Sequence, residues 1–81
     1  MTEKTVHVSN GLEPKDAALF VQTAGKFQSG VRLRIGGKTV NAKSIMGVIA
    51  LGIPGNSDVV ITAEGKDEEQ AVAALCAFLV K

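Results

Sequence analysis

Residues 41–52 (NAKSIMGVIALG) place a serine hydroxyl at the start of a short apolar segment, where it has two possible roles. A serine that precedes a helix accepts a hydrogen bond from an otherwise unpaired backbone N–H, so Ser44 is predicted to be an N-cap. The same hydroxyl is a candidate for phosphorylation, because the unpaired N–H groups of a helix start tolerate added negative charge. Residue type and spacing leave both roles open.

The segment after Ser44 contains more apolar surface than one small core can bury. At about 100° per residue, Val48 and Leu51 fall on the same side of a helix as Ser44, and Gly52 stands where a helix of about two turns would end in a left-handed residue. A second apolar arc is predicted to face solvent or a partner, unless the arcs are displaced by one position and it belongs to the core. That second arc consists of Ile45, Met46 and Ile49.

Other residue types that carry chemistry are few. His7 lies in an alternating segment and is predicted to point into solvent, whereas Cys76 has no partner histidine and is predicted to be buried. Residues 36–39 (GGKT) lack the spacing of a phosphate-binding loop and indicate a hairpin turn. The cluster Lys66-Asp67-Glu68-Glu69 is most simply a solvated helix start, so no metal site and no cofactor is predicted.

Composition is typical of a small intracellular domain. The chain has 81 residues, 46% of them apolar, and a formal net charge of +1, so one domain over residues 1–81 is expected. A single cysteine suits a reducing cytosol. We find no charged-then-apolar leader, no apolar run approaching about 20 residues and no basic footprint, so we expect a cytoplasmic protein without membrane insertion or direct nucleic-acid binding.

The hydropathy pattern predicts alternating strands and helices. Period-2 alternation indicates strands, and apolar residues at helical spacing indicate helices with one buried stripe. Pro14 suits a first helical turn, and Asp67 with Gln70 resembles a capping box for the last helix. These signals predict an α+β domain with an antiparallel sheet covered on one face by helices. The order is strand (5–9), helix (from 14), strand (31–35), strand (38–42), helix (after 44), strand (58–63) and helix (after 67).

The Lys-Ser-Ile-Met-Gly stretch at 43–47 resembles the regulatory-serine segment of HPr, the small phosphocarrier of the bacterial sugar phosphotransferase system. It is most similar to HPr of low-GC Gram-positive bacteria and to their catabolite-repression paralogue. The resemblance implies the open-faced βαββαβα sandwich of HPr, with sheet order 1-4-2-3 and three helices on one face. Further similarity covers Gly11-Leu12, residues 17–27, residues 37–41 and residues 65–68.

The resemblance also exposes a departure at the turn into the first helix. HPr has a Gly-x-His-Ala-Arg-Pro-Ala motif there, whose histidine carries the phosphoryl group, whereas this chain has Glu13 at the histidine position, Lys15 at the arginine and Asp16 at the proline. We therefore expect no histidine relay and no enzyme. Glu13 is either a favourable charge at a helix start or a loose mimic of phosphohistidine. A carrier that uses Glu13 or His7 remains the alternative.

What the resemblance implies for partners centres on Ser44. An HPr kinase/phosphorylase-like enzyme would phosphorylate it. A catabolite-control transcription regulator or phosphotransferase-system proteins would dock on the apolar residues after it. An adjoining face of the first helix would complete the docking surface, with Gln22 and Gly25 altering its contacts. A module that binds partners without regard to phosphate is the second alternative. The implied docking residues are Ile45, Met46, Ile49, Ala18, Gln22 and Gly25.

Overall fold

The protein is described by a computed structural model covering residues 1–80, and Lys81, the last residue of the predicted domain, lies outside the described residues. Its seven elements follow the predicted βαββαβα order. They are β1 (Thr2–Val8), α1 (Pro14–Gly25), β2 (Gly30–Ile35), β3 (Lys38–Asn41), α2 (Ile45–Leu51), β4 (Ser57–Glu64) and α3 (Glu68–Leu79).

The four strands form one antiparallel sheet in the order β1-β4-β2-β3, which confirms the expected topology. β4 lies between β1 and β2 and has the clearest alternation, with Val59, Ile61 and Ala63 fully buried. Because successive strand residues point to opposite faces, this alternation gives the sheet one apolar and one polar face. The inward residues of β2, Val31 and Leu33, extend the same apolar face.

The three helices cover the apolar face of the sheet. α3 packs on β1 and β4, α2 packs on β3, and α1 contacts both other helices. Phe20 of α1 is fully buried, and its ring meets that of Phe78 edge-on with the centroids 5.6 Å apart. The other face of the sheet is left open, so its residues remain accessible to solvent.

The predicted capping box at the start of α3 is wrong. The Asp67 side chain makes no capping hydrogen bond to α3, and Gln70 is exposed. Instead, the Asp67 carboxylate accepts hydrogen bonds from the backbone N–H groups of Gln28 and Ser29, both at 2.9 Å, and from the Ser29 hydroxyl. Three donors from the α1–β2 loop outcompete one local N–H.

These hydrogen bonds stabilise the charged form of the Asp67 carboxyl. Those from the Ser29 hydroxyl and the Gln28 N–H lower the pKa of Asp67 from 3.8 to about 2. Ser29 itself is buried, so the Asp67 carboxylate also satisfies a hydroxyl that is removed from water. The resulting clamp ties the loop after α1 to the start of α3.

Candidate functional site

Ser44 is the N-cap of α2, as predicted. Its backbone is extended, and its Oγ accepts a hydrogen bond from the Gly47 N–H at 3.1 Å. The Ser44 carbonyl accepts from the Val48 N–H at 3.0 Å, which is the first intrahelical bond. Ser44 is only partly buried, so the residue whose hydroxyl caps the helix is also partly exposed to solvent.

Gly47 leaves room for that hydroxyl, a role that the sequence did not indicate. A Cβ at Gly47 would lie 3.3 Å from Ser44 Oγ and 3.5 Å from the Val40 Cβ. Any side chain at this position would therefore crowd the oxygen that is the candidate for modification.

The turn before Ser44 is held by its own polar groups. The Asn41 side chain accepts from the Lys43 N–H at 2.9 Å, and the Asn41 carbonyl accepts from the Ser44 N–H at 3.1 Å. Lys43 Nζ donates to the Phe27 carbonyl oxygen at 2.7 Å. Lys43 therefore ties this turn to the loop after α1.

α2 buries one apolar arc and exposes the other, as the helical arithmetic predicts. Val48 and Leu51 are 1% and 9% exposed, and Gly52 ends the helix in the left-handed region with φ of 61°. In the exposed arc, Ile45 is 43% exposed, Met46 is 74% exposed and Ile49 is 44% exposed. We call this arc the α2 patch: Ile45, Met46 and Ile49.

The adjoining surface of α1 is only partly apolar. Ala18 is partly buried, whereas Gln22 and Gly25 are exposed, and the three recur at helical spacing along α1. α1 and α2 are in contact, so this stripe and the α2 patch belong to the same helix layer. Leu19 is 52% exposed and was missing from the predicted docking residues. Leu19 lies outside the buried stripe of α1, and this apolar residue on the polar side of the helix was the signal that could have identified it. The buried stripe consists of Ala17, Phe20 and Ala24.

The turn into α1 has no tightly bound acidic group. Glu13 is the N-cap residue, but its side chain makes no capping hydrogen bond, and Pro14 occupies the first helical turn as predicted. Lys15 Nζ lies 3.9 Å from Glu13 Oε2, and both side chains are more than two-thirds exposed. A pair of this kind contributes little to stability. Both charged groups therefore remain available to solvent.

The remaining titratable candidates lie apart from Ser44. His7 is exposed on the open face of the sheet, but it is not merely solvated, because its Nδ1 lies 2.9 Å from Asp58 Oδ1. Cys76 is buried among core residues, and burial raises the pKa of its thiol. Among residues 1–80, no three acidic, histidine or cysteine side chains cluster closely enough to hold a metal ion. No helix in that range is long and apolar enough to cross a bilayer.

The family model PTS-HPr, described as the PTS HPr component phosphorylation site, matches residues 2–81. The HPr-like protein Crh of Halalkalibacterium halodurans is 47% identical over 83 aligned residues, which cover 100% of this chain and 99% of that protein. The match therefore spans essentially the whole length of both proteins.

Solved structures agree with the sequence comparison. The phosphocarrier protein HPr of Bacillus anthracis superposes with a TM-score of 0.91 at 48% identity, covering 96% of this chain and 95% of the other. The Bacillus subtilis catabolite repression protein Crh, which was solved as a domain-swapped dimer, gives a TM-score of 0.80 at 43% identity over 98% and 93% of the two chains. Both similarities therefore cover nearly the whole of this chain.

Proposed function

This chain belongs to the HPr family, whose members are phosphocarrier or regulatory proteins rather than enzymes, and we propose that it is a regulatory member switched at Ser44. One observation carries the proposal: the partly exposed Ser44, whose hydroxyl caps α2, is followed directly by the exposed α2 patch. Modification of the hydroxyl would therefore change the charge beside an apolar docking surface. Similarity to Crh, the catabolite repression protein, supports a role in carbon catabolite control.

The proposed switch is the transfer of a phosphoryl group from ATP by an HPr kinase/phosphorylase-like enzyme. Ser44 Oγ would attack the γ-phosphorus, an O–P bond would form, the bond to ADP would break, and the hydroxyl proton would pass to a base of the kinase. The product carries about −1.5 to −2 charges at pH 7. The Gly47 N–H, which now donates to Ser44 Oγ, is positioned to stabilise that charge.

The proposed partner combines a basic group with an apolar groove. The basic group would pair with the phosphoserine, while the groove would cover the α2 patch and the α1 stripe of Ala18, Gln22 and Gly25. Met46 is 74% exposed, and its flexible thioether suits a surface that repacks against more than one partner. We propose that this partner is a catabolite-control transcription regulator or a protein of the phosphotransferase system. The single domain 1–81 would meet it in the cytoplasm.

A histidine relay is not part of the proposal, because the turn into α1 has the wrong side chains. Glu13 offers a carboxylate where HPr has imidazole, and with Asp16 it adds negative charge that repels an incoming phosphoryl donor. Lys15 supplies a point charge but not the planar two-pronged donor of arginine. Two roles are open for Glu13: its charge stabilises the start of α1, or it mimics the negative charge of a phosphorylated histidine. Equal partner affinity in wild type, Glu13→His and Glu13→Gln would exclude the mimic.

The experiment that tests the switch is incubation with an HPr serine kinase and labelled ATP, with HPr from the same source as the positive control. We expect label on the wild type and on Ser9→Ala, and none on Ser44→Ala. Ser9 is the matched control because it is exposed and its side chain has no hydrogen bond to residues 1–80. If HPr is labelled and Ser44 is not, the proposed switch is excluded.

Two further measurements distinguish the alternatives. Stable label from phosphoenolpyruvate and the upstream phosphotransferase kinase would favour a carrier that uses Glu13 or His7. Equal partner affinities of Ser44→Ala and Ser44→Asp would favour a binding module that does not sense phosphate. For a regulatory protein we expect no label in the first measurement and different affinities in the second.

A further inference from the structure

The open face of the sheet carries a pair of unneutralised arginines. Arg32 and Arg34 are alternate residues of β2, so both side chains project from the same face, and both are exposed. Neither guanidinium makes a hydrogen bond or ion pair with any other residue in the described range 1–80. Strand geometry spaces their Cα atoms about 6.6–6.8 Å apart.

The residues around the two arginines add hydrogen-bonding groups and one carboxylate, that of Glu3, which accepts a hydrogen bond from Thr62 Oγ1 at 3.4 Å and forms no ion pair with either arginine. Across the strands, Arg32 is paired with Thr62 and Arg34 with Thr39. A shallow depression of about 260 Å³ is lined by the two arginines, both threonines and Glu3. Neither β2 nor β3 contains a carboxylate. We call this surface the arginine face: Arg32, Arg34, Thr39 and Thr62.

We propose that the arginine face binds an extended acidic polypeptide segment with carboxylates at alternate positions. Carboxylates at i and i+2 of an extended chain repeat at the same spacing as Arg32 and Arg34, so both can pair at once. Each guanidinium can bind a carboxylate through two parallel hydrogen bonds, which gives the contact a defined register. The Thr39 hydroxyl can donate to the same carboxylates or to the backbone of the bound segment, and the Thr62 hydroxyl, which donates to Glu3, can still accept from that backbone.

A polypeptide fits this surface better than a nucleic acid. The β1–β4 half of the same face carries the carboxylates of Glu3, Asp58 and Glu64. A continuous phosphate backbone crossing the face would meet these three carboxylates in succession, whereas a short acidic segment can stay on the β2–β3 side, where Glu3 is the one carboxylate that lines the depression with both arginines. The formal net charge of +1 gives the molecule no broad attraction for polyanions.

The arginine face is independent of the proposed switch at Ser44. The helices, with Ser44 and the α2 patch, cover one side of the sheet, and Arg32 and Arg34 lie on the other. A partner on each side can therefore bind at the same time, and this second interface makes the protein an adaptor between them. Loss of Ser44 phosphorylation would not affect binding at the arginine face.

The test uses two synthetic peptides with ¹⁵N-labelled protein: one alternates Glu and Thr, and the other has Gln in place of each Glu. We expect the Glu peptide to shift backbone amide resonances of β2, β3 and β4, and the Gln peptide to shift none. Arg32→Gln/Arg34→Gln should weaken binding by at least about tenfold. Lys26→Gln/Lys66→Gln, which removes the same charge from exposed positions outside the sheet, should bind as the wild type does.

Several results would overturn the proposal. One is that the two peptides bind equally well or shift only amides of the helix layer. Another is that the double arginine variant retains wild-type affinity while its spectrum remains that of the folded protein. The third is that a single-stranded oligodeoxynucleotide of the same charge shifts the same amides at lower concentration, which would assign the face to nucleic acid.

Discussion

A single hydroxyl gives Ser44 two separable roles, one structural and one regulatory. The structural role follows from the 3.1 Å hydrogen bond that Ser44 Oγ accepts from the Gly47 N–H. The regulatory role is proposed, and it requires the same oxygen to form a bond to phosphorus. Substitution by alanine removes both roles, so its effect on stability is needed before its effect on partner binding can be interpreted.

We expect Ser44→Ala to lower the free energy of unfolding by about 1 kcal/mol, because the Gly47 N–H loses its acceptor. Urea denaturation measures this change. Ser9→Ala is the control and should stay within about 0.5 kcal/mol of the wild type. An unchanged midpoint for Ser44→Ala would mean that the hydroxyl does not cap α2 in solution.

Lys43 is less free than its position beside Ser44 indicates. A lysine beside Ser44 could compensate the charge of a phosphate there, but Lys43 Nζ donates to the Phe27 carbonyl at 2.7 Å. A lysine that joins the turn before α2 to the loop after α1 contributes to the fold. Any interaction with a phosphate on Ser44 would first have to replace that bond.

We expect Lys43→Met to lower the free energy of unfolding by about 1 kcal/mol, since it removes a partly buried hydrogen bond from a charged donor. Lys26→Met, at an exposed position after α1, should change the free energy by less than about 0.5 kcal/mol. Urea denaturation of the three proteins checks this difference. Equal stabilities would show that the Lys43 contact contributes nothing.

At the scale of elements, α2 is a short helix with two apolar faces, only one of which is buried against other residues of the described range 1–80. The buried face holds α2 against the rest of the fold, whereas the α2 patch has no such role. The two faces should therefore respond differently to truncation. This contrast can be measured within seven residues of one helix.

We expect Leu51→Ala to lower the free energy of unfolding by about 2–4 kcal/mol, because it leaves a cavity in the core. Met46→Ala should change it by less than about 0.5 kcal/mol, because Met46 is 74% exposed. Urea denaturation gives both values. The same Met46→Ala protein should bind a partner of the α2 patch more weakly. A large loss of stability in Met46→Ala would place Met46 in the core.

At the scale of the whole molecule, carboxylates at the start of α3 join parts of the chain that are distant in sequence. Asp67 binds the loop after α1, and Glu68 accepts hydrogen bonds from Thr2 Oγ1 and the Gly65 N–H. The hydrogen bond from Thr2, with the N-terminal ammonium 3.0 Å away, lowers the pKa of Glu68 from 4.5 to about 2. Both carboxyl groups therefore couple protonation to the stability of the complete fold.

We expect the free energy of unfolding to fall as the pH is lowered from 3.8 towards 2, the range between the ordinary pKa of Asp67 and its value in the fold. In this range the unfolded chain binds the proton more readily than the native protein, so acid favours unfolding. Asp67→Asn should reduce the decline, and Asp67→Asn/Glu68→Gln should reduce it further.

Urea denaturation at several pH values measures the decline. Glu69→Gln is the matched control, because this neighbouring carboxylate is exposed and has no hydrogen bond or ion pair with residues 1–80. As the pH is lowered, the free energy of unfolding of Glu69→Gln should fall as steeply as that of the wild type. A wild-type free energy of unfolding that does not change between pH 3.8 and 2 would contradict the clamp that the Asp67 carboxylate forms with the loop after α1.

The order of elements, the cap at Ser44 and the two arcs of α2 were predictable because they depend on neighbouring residues. Period-2 and helical spacing act over a few positions, and so does the demand of a helix end for a hydroxyl or a left-handed glycine. The sheet order required resemblance to HPr, since periodicity does not specify which strands pair. Sequence alone therefore determined the local structure and the candidate hydroxyl.

The polar contacts that lock the fold depended on the tertiary structure. Asp67 was predicted to cap its own helix but binds Ser29, His7 is exposed as predicted but also lies beside Asp58, and Lys43 reaches Phe27. Each pair joins residues that are far apart in the chain. A side chain takes the partner that folding brings to it, and local sequence does not encode which partner arrives.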